Sequence, residues 1–475
     1  MRKAISEVVS TILLLLIAVA MSGAAWTFID NYYDLTAVEP PNVFACGPSP
    51  PPTWSEQDIP LPFRNMMAYE PTGSAKTYYI AIKEPGASNE NDGLSPVYEG
   101  GTRGPWLDFG GPVGPVGTSF SVGDALAVRE GTYLVGLDGI TFSPAATEAQ
   151  PFKMYAYNGE KVILDGGYRP EDFCGVVTNW ANYAEEEVLA FRGEYGIFEG
   201  FTLQGCYVSC AKLSGKNIIF KDNTVIGSLE EGIKAIIGSK DVLIIGNEFF
   251  EFANEAIDDF GSEDLSIIGN EFHDGVHLVE ECNGQPYDRG IGTPLWTKAG
   301  TERVSVIGNT FRDLNVNQHA LIVGGCCWNN WGGQAGVDPV AREVKAIRNT
   351  FQNITLMSTL DERGVVASEG CHDCEISGNL IEDADDGIGV RATIDDQNKV
   401  VETKNLVVRD NTLAGIRTGR LYNIREESAV GLAVQGNAFY LGGKESVRYG
   451  DDIMTFNDFQ ALGYDAGSLI CPLAG

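Results

Sequence analysis

Basic residues are in short supply in this chain of 475 residues: 33 lysines and arginines stand against 65 acidic residues, a formal net charge of −32. A nucleic-acid partner is therefore excluded as the default, because binding a phosphate backbone needs a clustered basic footprint. The same field disfavours a polyanionic sugar unless a bound divalent cation reverses it locally. Otherwise the charge reads as solvation of a surface protein. Helical periodicity is also missing from the body of the chain, which excludes βαβ architecture. No nucleotide-binding glycine loop, His-Glu-x-x-His or Gly-x-Ser-x-Gly pattern occurs. One long uncharged apolar run exists, residues 8–29.

What is abundant is repetition. A short apolar run ends in nearly the same phrase eight times, as IIFKDNTV around Asn223, LIIGNEF around Asn247 and VSVIGNTF around Asn309. Asn270, Asn349, Asn379, Asn411 and Asn437 mark the other copies, and a ninth phrase, EGFTLQG, is read with Gly200 in the Asn place. From Gly200 onward the spacings are 23, 24, 23, 39, 40, 30, 32 and 26 residues. A period near 23 has room for three short strands and three bends, so each copy reads as one β-coil of a solenoid. Stacked coils place the Asn residues above one another. There they tolerate a left-handed turn and bond up and down the stack, forming a structural ladder.

These phrases, with TYYIAIKEPGASNENDGLSP (residues 77–96), VGDALAVREGTYL (122–134) and KMYAYNGEKVILDGG (153–167), resemble the pectate-lyase-like superfamily of right-handed parallel β-helix proteins. FNDFQALGYDAGSL (456–469) is similar to the exit segment of the same group. The resemblance implies an all-β, right-handed parallel β-helix, and the uncharged run at residues 8–29 adds an N-terminal transmembrane α-helix ahead of it. It covers residue 77 to the C-terminus. It is specific for fold and weak for activity, since the group holds lyases, hydrolases, epimerases and proteins of no known chemistry. The expected organisation is a leader and membrane helix at 1–33, a Pro-rich linker at 34–62, an N-terminal cap with the first coils at 63–160, the repeats at 161–445 and a C-terminal cap at 446–475.

Arg2 and Lys3 precede the uncharged run, which is long enough to span a bilayer with the N-terminus inside and the body outside. RKAISEVVSTILLL also resembles archaeal pilin-type leaders, which implies cleavage after Ala4 with the helix retained; self-assembly through that helix stays open, because archaeal sugar-binding proteins use such leaders too. Glu7 would then stand third in the mature chain rather than fifth, a departure from the filament-forming pattern. An ordinary signal peptide cut between Ala18 and Ala25 is the alternative. EPPNVFACGPSPPPTW (39–54) reads as a semi-rigid stalk. The ten cysteines are read as disulfides of an exported protein, with connectivity open. A metal reading of Cys371-His372-Asp373-Cys374 with His319 is the lesser alternative. Asn353-Ile-Thr355 is a glycosylation sequon.

Alignment on the Asn positions stacks Glu231 on Glu255 and Lys234 on Asp258, and puts His319, Arg363 and Asp386 in the column of the two glutamates. By resemblance to β-helix lyases, such a row needs a cation or Arg to neutralise a uronate carboxylate and a Lys or Arg to take the α-proton. Glu231, Glu255, Asp258 and Asp259 are the candidate ligands for Ca²⁺, because hard cations take several carboxylate oxygens. Lys234 is the candidate base, provided its pKa is lowered, and Arg363 is the second catalytic candidate. EDADDGIGV resembles Ca²⁺-binding acidic turns of some lyases, with Asp385 and Asp386 at the matching positions. Two long insertions, 277–300 and 323–339, carry Tyr287, Arg289, Trp296, Trp328 and Trp331 as candidate sugar-binding residues. The competing readings are a solvated ladder of salt bridges for the charges and a local mini-core for the tryptophans. The expected function is an extracellular, membrane-tethered protein that binds polysaccharide and cleaves it in a lyase-like, Ca²⁺-assisted way. The alternative is a non-catalytic, pilin-like surface filament subunit or adhesin.

Overall fold

In the computed structural model the described residues are 54–472, apart from 111–114, 116–117, 137–138, 170–171, 173, 176–186, 277, 283–284, 290–291, 299, 318, 326–339, 358–363, 395–399, 426–427, 429, 442–444 and 466. One coil shows how the repeat folds. Lys216–Lys221, Thr224–Ser228 and Glu231–Ile236 are three consecutive strands, and each joins a different sheet. Repetition of this coil builds three sheets of twelve strands among the described residues. Sheet 1 runs from Thr77–Ile80 to Ala433–Gln435, sheet 2 from Gly131–Leu134 to Leu469–Pro472, and sheet 3 from Ile140–Phe142 to Asp452–Thr455. Neighbouring coils pair in parallel and in register, as in Ile219↔Leu243↔Ser266↔Ser305. This is the parallel β-helix expected from the sequence.

The Asn ladder forms as expected. Asn247 donates from its backbone and its Nδ2 to Asn270 Oδ1, both at 2.9 Å, and from Nδ2 to Phe220 O at 2.9 Å. The same pattern runs to Asn437, where Ser468 Oγ accepts from its backbone at 2.6 Å and Asp465 Oδ1 from its amide at 3.0 Å. Two details differ from the sequence reading. Thr202 pairs with Thr224, so Phe201 stands in the Asn column, and its N–H donates to Asn223 Oδ1 at 2.9 Å. Gly200 belongs one place earlier. That earlier place, not the Asn, is the left-handed one: Gly200, Asp222, Gly246, Arg348 and Asp410 all have positive φ. The other two corners carry left-handed columns of their own. One contains Glu251, Asp274, Asp313 and Asn353, and the other Asn217, Asp241, Asp264 and Arg303. Short polar residues dominate them because they tolerate this conformation best.

Inside, a single core runs from Tyr78 to Phe459. The apolar residue two places after each Asn points into it, and Phe249, Phe272, Phe311 and Phe351 stack at centroid distances of 5.0, 4.6 and 4.7 Å. Outside, α1 (Leu61–Met67) lays Phe63 and Met66 on the outer face of sheet 1, over Ile219, Leu243, Ile245, Ile268 and Ile307. At the far end α2 (Phe456–Ala461), held by a Thr455–Asp458 capping box, buries Phe456 and Phe459.

Cys206 is bonded to Cys210, Cys371 to Cys374 and Cys174 to Cys282. The bond at Cys371 and Cys374 removes both sulfurs from any metal reading of that motif. Cys471 is also disulfide-bonded, while Cys46, Cys326 and Cys327 lie outside the described residues. No helix among the described residues is long and apolar enough to cross a membrane. The run expected to do so, residues 8–29, lies outside them, as does the leader motif.

Candidate functional site

The ionisable row lies on sheet 3, on β1 (Glu231–Ile236), β2 (Glu255–Phe260) and β3 (Leu295–Thr297), three successive rungs. Register sets it. Glu231 pairs with Glu255 and Lys234 with Asp258, as expected, and Asp258 pairs in turn with Trp296. Strand alternation then puts Lys298, two residues beyond Trp296, on the same outer face.

These groups converge on one another. Glu231, Glu255 and Asp258 offer carboxylate oxygens within 4.8 Å of each other. Lys234 Nζ lies 2.6 Å from Glu231 and 3.5 Å from Asp258. Lys298 Nζ lies 3.0 Å from Glu255 and 2.8 Å from Asp258, and 4.7 Å from the centre of the Trp296 ring. Ser209 donates to Glu231 at 2.8 Å, and Trp296 Nε1 donates to Gly324 O at 2.8 Å. The carboxylates are buried, with side-chain exposures of 8% for Glu231, 5% for Glu255 and 4% for Asp258, whereas Lys234 is 30% exposed. A solvated ladder was the competing expectation. The cluster is instead a nearly dry one with a single lysine at its mouth.

Burial divides the protons unevenly. It pushes the Glu255 carboxyl up to about 8, against the pull of Lys298 and with the help of Asp258 and Glu231. Burial acts on Asp258 too, but Lys298 and Lys234 together hold that carboxyl below its ordinary value. Lys234 pays a desolvation penalty, yet Glu231, Asp258 and Glu255 keep its ammonium protonated well above the usual range. The lowered pKa that a lysine base needs is thus not what these surroundings produce. Glu255 is the group that holds a transferable proton at neutral pH.

Three carboxylates are the donors a hard cation takes. Their oxygens, however, already face two ammonium groups, so a cation would enter only by displacing Lys234 and Lys298. Asp259 is not part of the set: alternation turns it to the inner face, fully buried, where burial outweighs the Ser262 and Thr301 hydroxyls and raises it to about 7. Asp385 and Asp386 precede the strand Ile388–Arg391, which lies three rungs beyond β3, roughly 14 Å along the stack. Asp385 accepts from Leu356 N and from Arg417 Nε, both at 2.7 Å, and Asp386 accepts from Thr418. The structure does not bring them to the cluster. Tyr287 and Arg289 fall on the second strand of an antiparallel hairpin, Leu278–Cys282 with Gln285–Arg289. Cys282 on that hairpin carries the disulfide to Cys174. Arg363, Trp328 and Trp331 lie outside the described residues. Lys298 went unnoticed in the sequence; its signal is its place two residues beyond Trp296.

His319 stands two residues before the sheet 3 strand Leu321–Gly324 and is fully buried. Its Nδ1 lies 2.7 Å from Gly364 O and its Nε2 3.2 Å from Glu369, which also pairs with Arg391.

No family model matches the chain, and no curated protein matches it in sequence. Solved structures are similar to it. A glycoside hydrolase shares 10% identity at a TM-score of 0.50, over 82% of this chain and 99% of that one. The A-module of a mannuronan C-5 epimerase from Azotobacter vinelandii shares 12% at 0.46, over 74% and 91%. A pectate lyase shares 14% at 0.33, over 77% and 75%. At these identities the likeness is one of fold.

Proposed function

We propose that the protein binds an acidic polysaccharide along the outer face of sheet 3 and acts on it at the cluster of Glu231, Lys234, Glu255, Asp258 and Lys298. The observation that carries this reading is the buried cluster itself, in which Asp258 lies between Lys234 and Lys298 and Lys298 also holds Glu255, with Trp296 on the next rung of the same face. Lys234, the most exposed group of the cluster, meets a uronate carboxylate, and Trp296 offers a flat apolar surface to a sugar ring. Glu255 gives or takes the proton. Calcium would be held by Glu231, Glu255 and Asp258 only in a second arrangement, with Lys234 and Lys298 displaced from them. The chain is displayed outside the cell on its N-terminal apolar run, a placement supported by Arg2 and Lys3 before that run and by the disulfides after it.

A second reading, a non-catalytic adhesin or filament subunit, is favoured by how completely the ion pairs close on themselves. The test is incubation with alginate, pectate and neutral glycans, with and without Ca²⁺, read as glycan retention and as unsaturated or shortened products. Retention with product formation that Glu255→Gln abolishes supports the first reading. Retention without product supports the second as a glycan adhesin; neither retention nor product sinks the first and leaves the filament subunit, which filaments on the cell would then have to bear out.

A further inference from the structure

Between α1 and the corner leading into sheet 1 lies a cleft of about 260 Å³. Pro60, Pro62 and Phe63 form one wall, and Asn217, Asp241, Ser266 and Ser305 the floor, with Asp264 and Arg303 beside them. We infer that this cleft is a second carbohydrate site, built for a neutral pyranose and separate from the charged cluster on sheet 3.

The floor departs from what simple cover would require. The outward column of sheet 1 runs Ile197, Ile219, Leu243 and then changes to Ser266 and Ser305. The apolar residues lie under α1, whereas the serines open into the cleft. Had the helix only to be seated, the apolar column would continue. Among the described residues, the side chains of Asn217, Asp241, Ser266 and Ser305 make no hydrogen bond or ion pair. By contrast Asp264 is gripped by Arg303 at 2.7 Å and by Lys240 at 3.6 Å. A carboxylate, an amide and two hydroxyls, all open for bonding, face a wall of two prolines and a phenylalanine. That is the division of a pyranose, whose hydroxyl edge bonds to polar groups while its C–H face lies on apolar surface.

Charge selects the class. Asp241 makes no ion pair; burial and Asp264 raise its carboxyl above its ordinary value against the weaker pull of Lys240 and Arg303, and both of those cations are already paired to Asp264 and Glu263. A second carboxylate is repelled here, so the ligand is a neutral sugar rather than a uronate. The left-handed corner fixes the floor: Asn217, Asp241 and Asp264 occupy one column of positive φ, which holds their side chains in line along the cleft.

The test is saturation-transfer NMR on the full chain with three probes: methyl β-D-glucopyranoside, methyl β-D-galactopyranoside and methyl α-D-mannopyranoside. At least one is expected to bind, with affinity lowered tenfold or more by Asp241→Asn and abolished by Ser305→Leu, which fills the cleft from its floor. Absence of binding by all three probes, or binding unchanged in both variants, overturns the site. Should Ser305→Leu fail to fold by circular dichroism, Asp241→Asn decides alone. The probes carry no charge and the cleft lies on another sheet, so failure of the acidic-polysaccharide reading leaves this result intact.

Discussion

At the residue scale, Lys298 and Asp259 show opposite consequences of burying charge. Lys298 is the cation shared by Glu255 and Asp258. Removing one partner of a buried pair leaves the other uncompensated, which costs more than the pair itself contributes. Lys298→Met is therefore expected to lower unfolding stability in urea by about 3 kcal/mol. Adding Glu255→Gln to that variant should restore part of the loss, because one buried carboxylate is then gone. A loss below about 0.5 kcal/mol would place Lys298 among solvated surface charges instead. Asp259 has the reverse sign. Its folded-state pKa of about 7 lies above the ordinary 3.8, so between those values the folded protein holds more protons than the unfolded one. Its contribution to stability then falls as pH rises from about 4 to 7. Asp259→Asn should flatten that slope and leave the variant more stable than the parent at pH 8, on the order of 4 kcal/mol. Parallel pH–stability curves for parent and variant would contradict the assignment.

At the scale of the elements, the ladder is worth more in the middle than at its end. Asn309 is fully buried and its Oδ1 accepts two bonds from Asn270, at 2.9 and 3.0 Å, while its amide bridges Ile267 O and Asn349 Oδ1. Asn309→Ala orphans the backbone N–H of Asn270, a buried group costing about 1–3 kcal/mol unpaired, and takes from the Ile267 carbonyl its amide donor. A loss of roughly 3 kcal/mol or more in urea is expected. Asn437→Ala, next to the Ser468 and Asp465 that end the ladder, should cost less; equal losses would mean the ladder is not cooperative along its length. The ladder was legible because the same residue recurs at one place in every coil. The register of Glu231 on Glu255 was legible for the same reason, since aligned turns fix aligned strands. The left-handed columns were not, because Gly, Asp, Asn and even Arg348 fill them and composition alone does not separate them from other polar positions. Nor was the dryness of the cluster legible. Burial of Glu255 depends on what lies over sheet 3, and Lys298 arrives from beyond a hairpin whose length breaks the repeat.

On the scale of the whole molecule, the stacked coils and the segment draped over them stand in different relations to stability. Coils share one core and open together with their neighbours. Segment α1 instead covers the outer face of sheet 1, and Arg348 pairs with Asp58 just before it. Such a strap opens locally, so the cost of damaging its contacts cannot exceed the free energy of undocking it. Phe63→Asp places a charge against Ile219 and Leu243, and α1 should lift rather than the coils unfold. The expected signature is increased binding of an apolar dye to the uncovered isoleucines, loss of the neutral-sugar cleft, and a urea midpoint for the β-signal close to that of the parent. Phe311→Asp, in the stacked phenylalanine column, should instead lower that midpoint sharply, because no local opening relieves it. If Phe63→Asp lowers the midpoint as far as Phe311→Asp does, α1 is part of the cooperative core and the distinction between strap and solenoid fails.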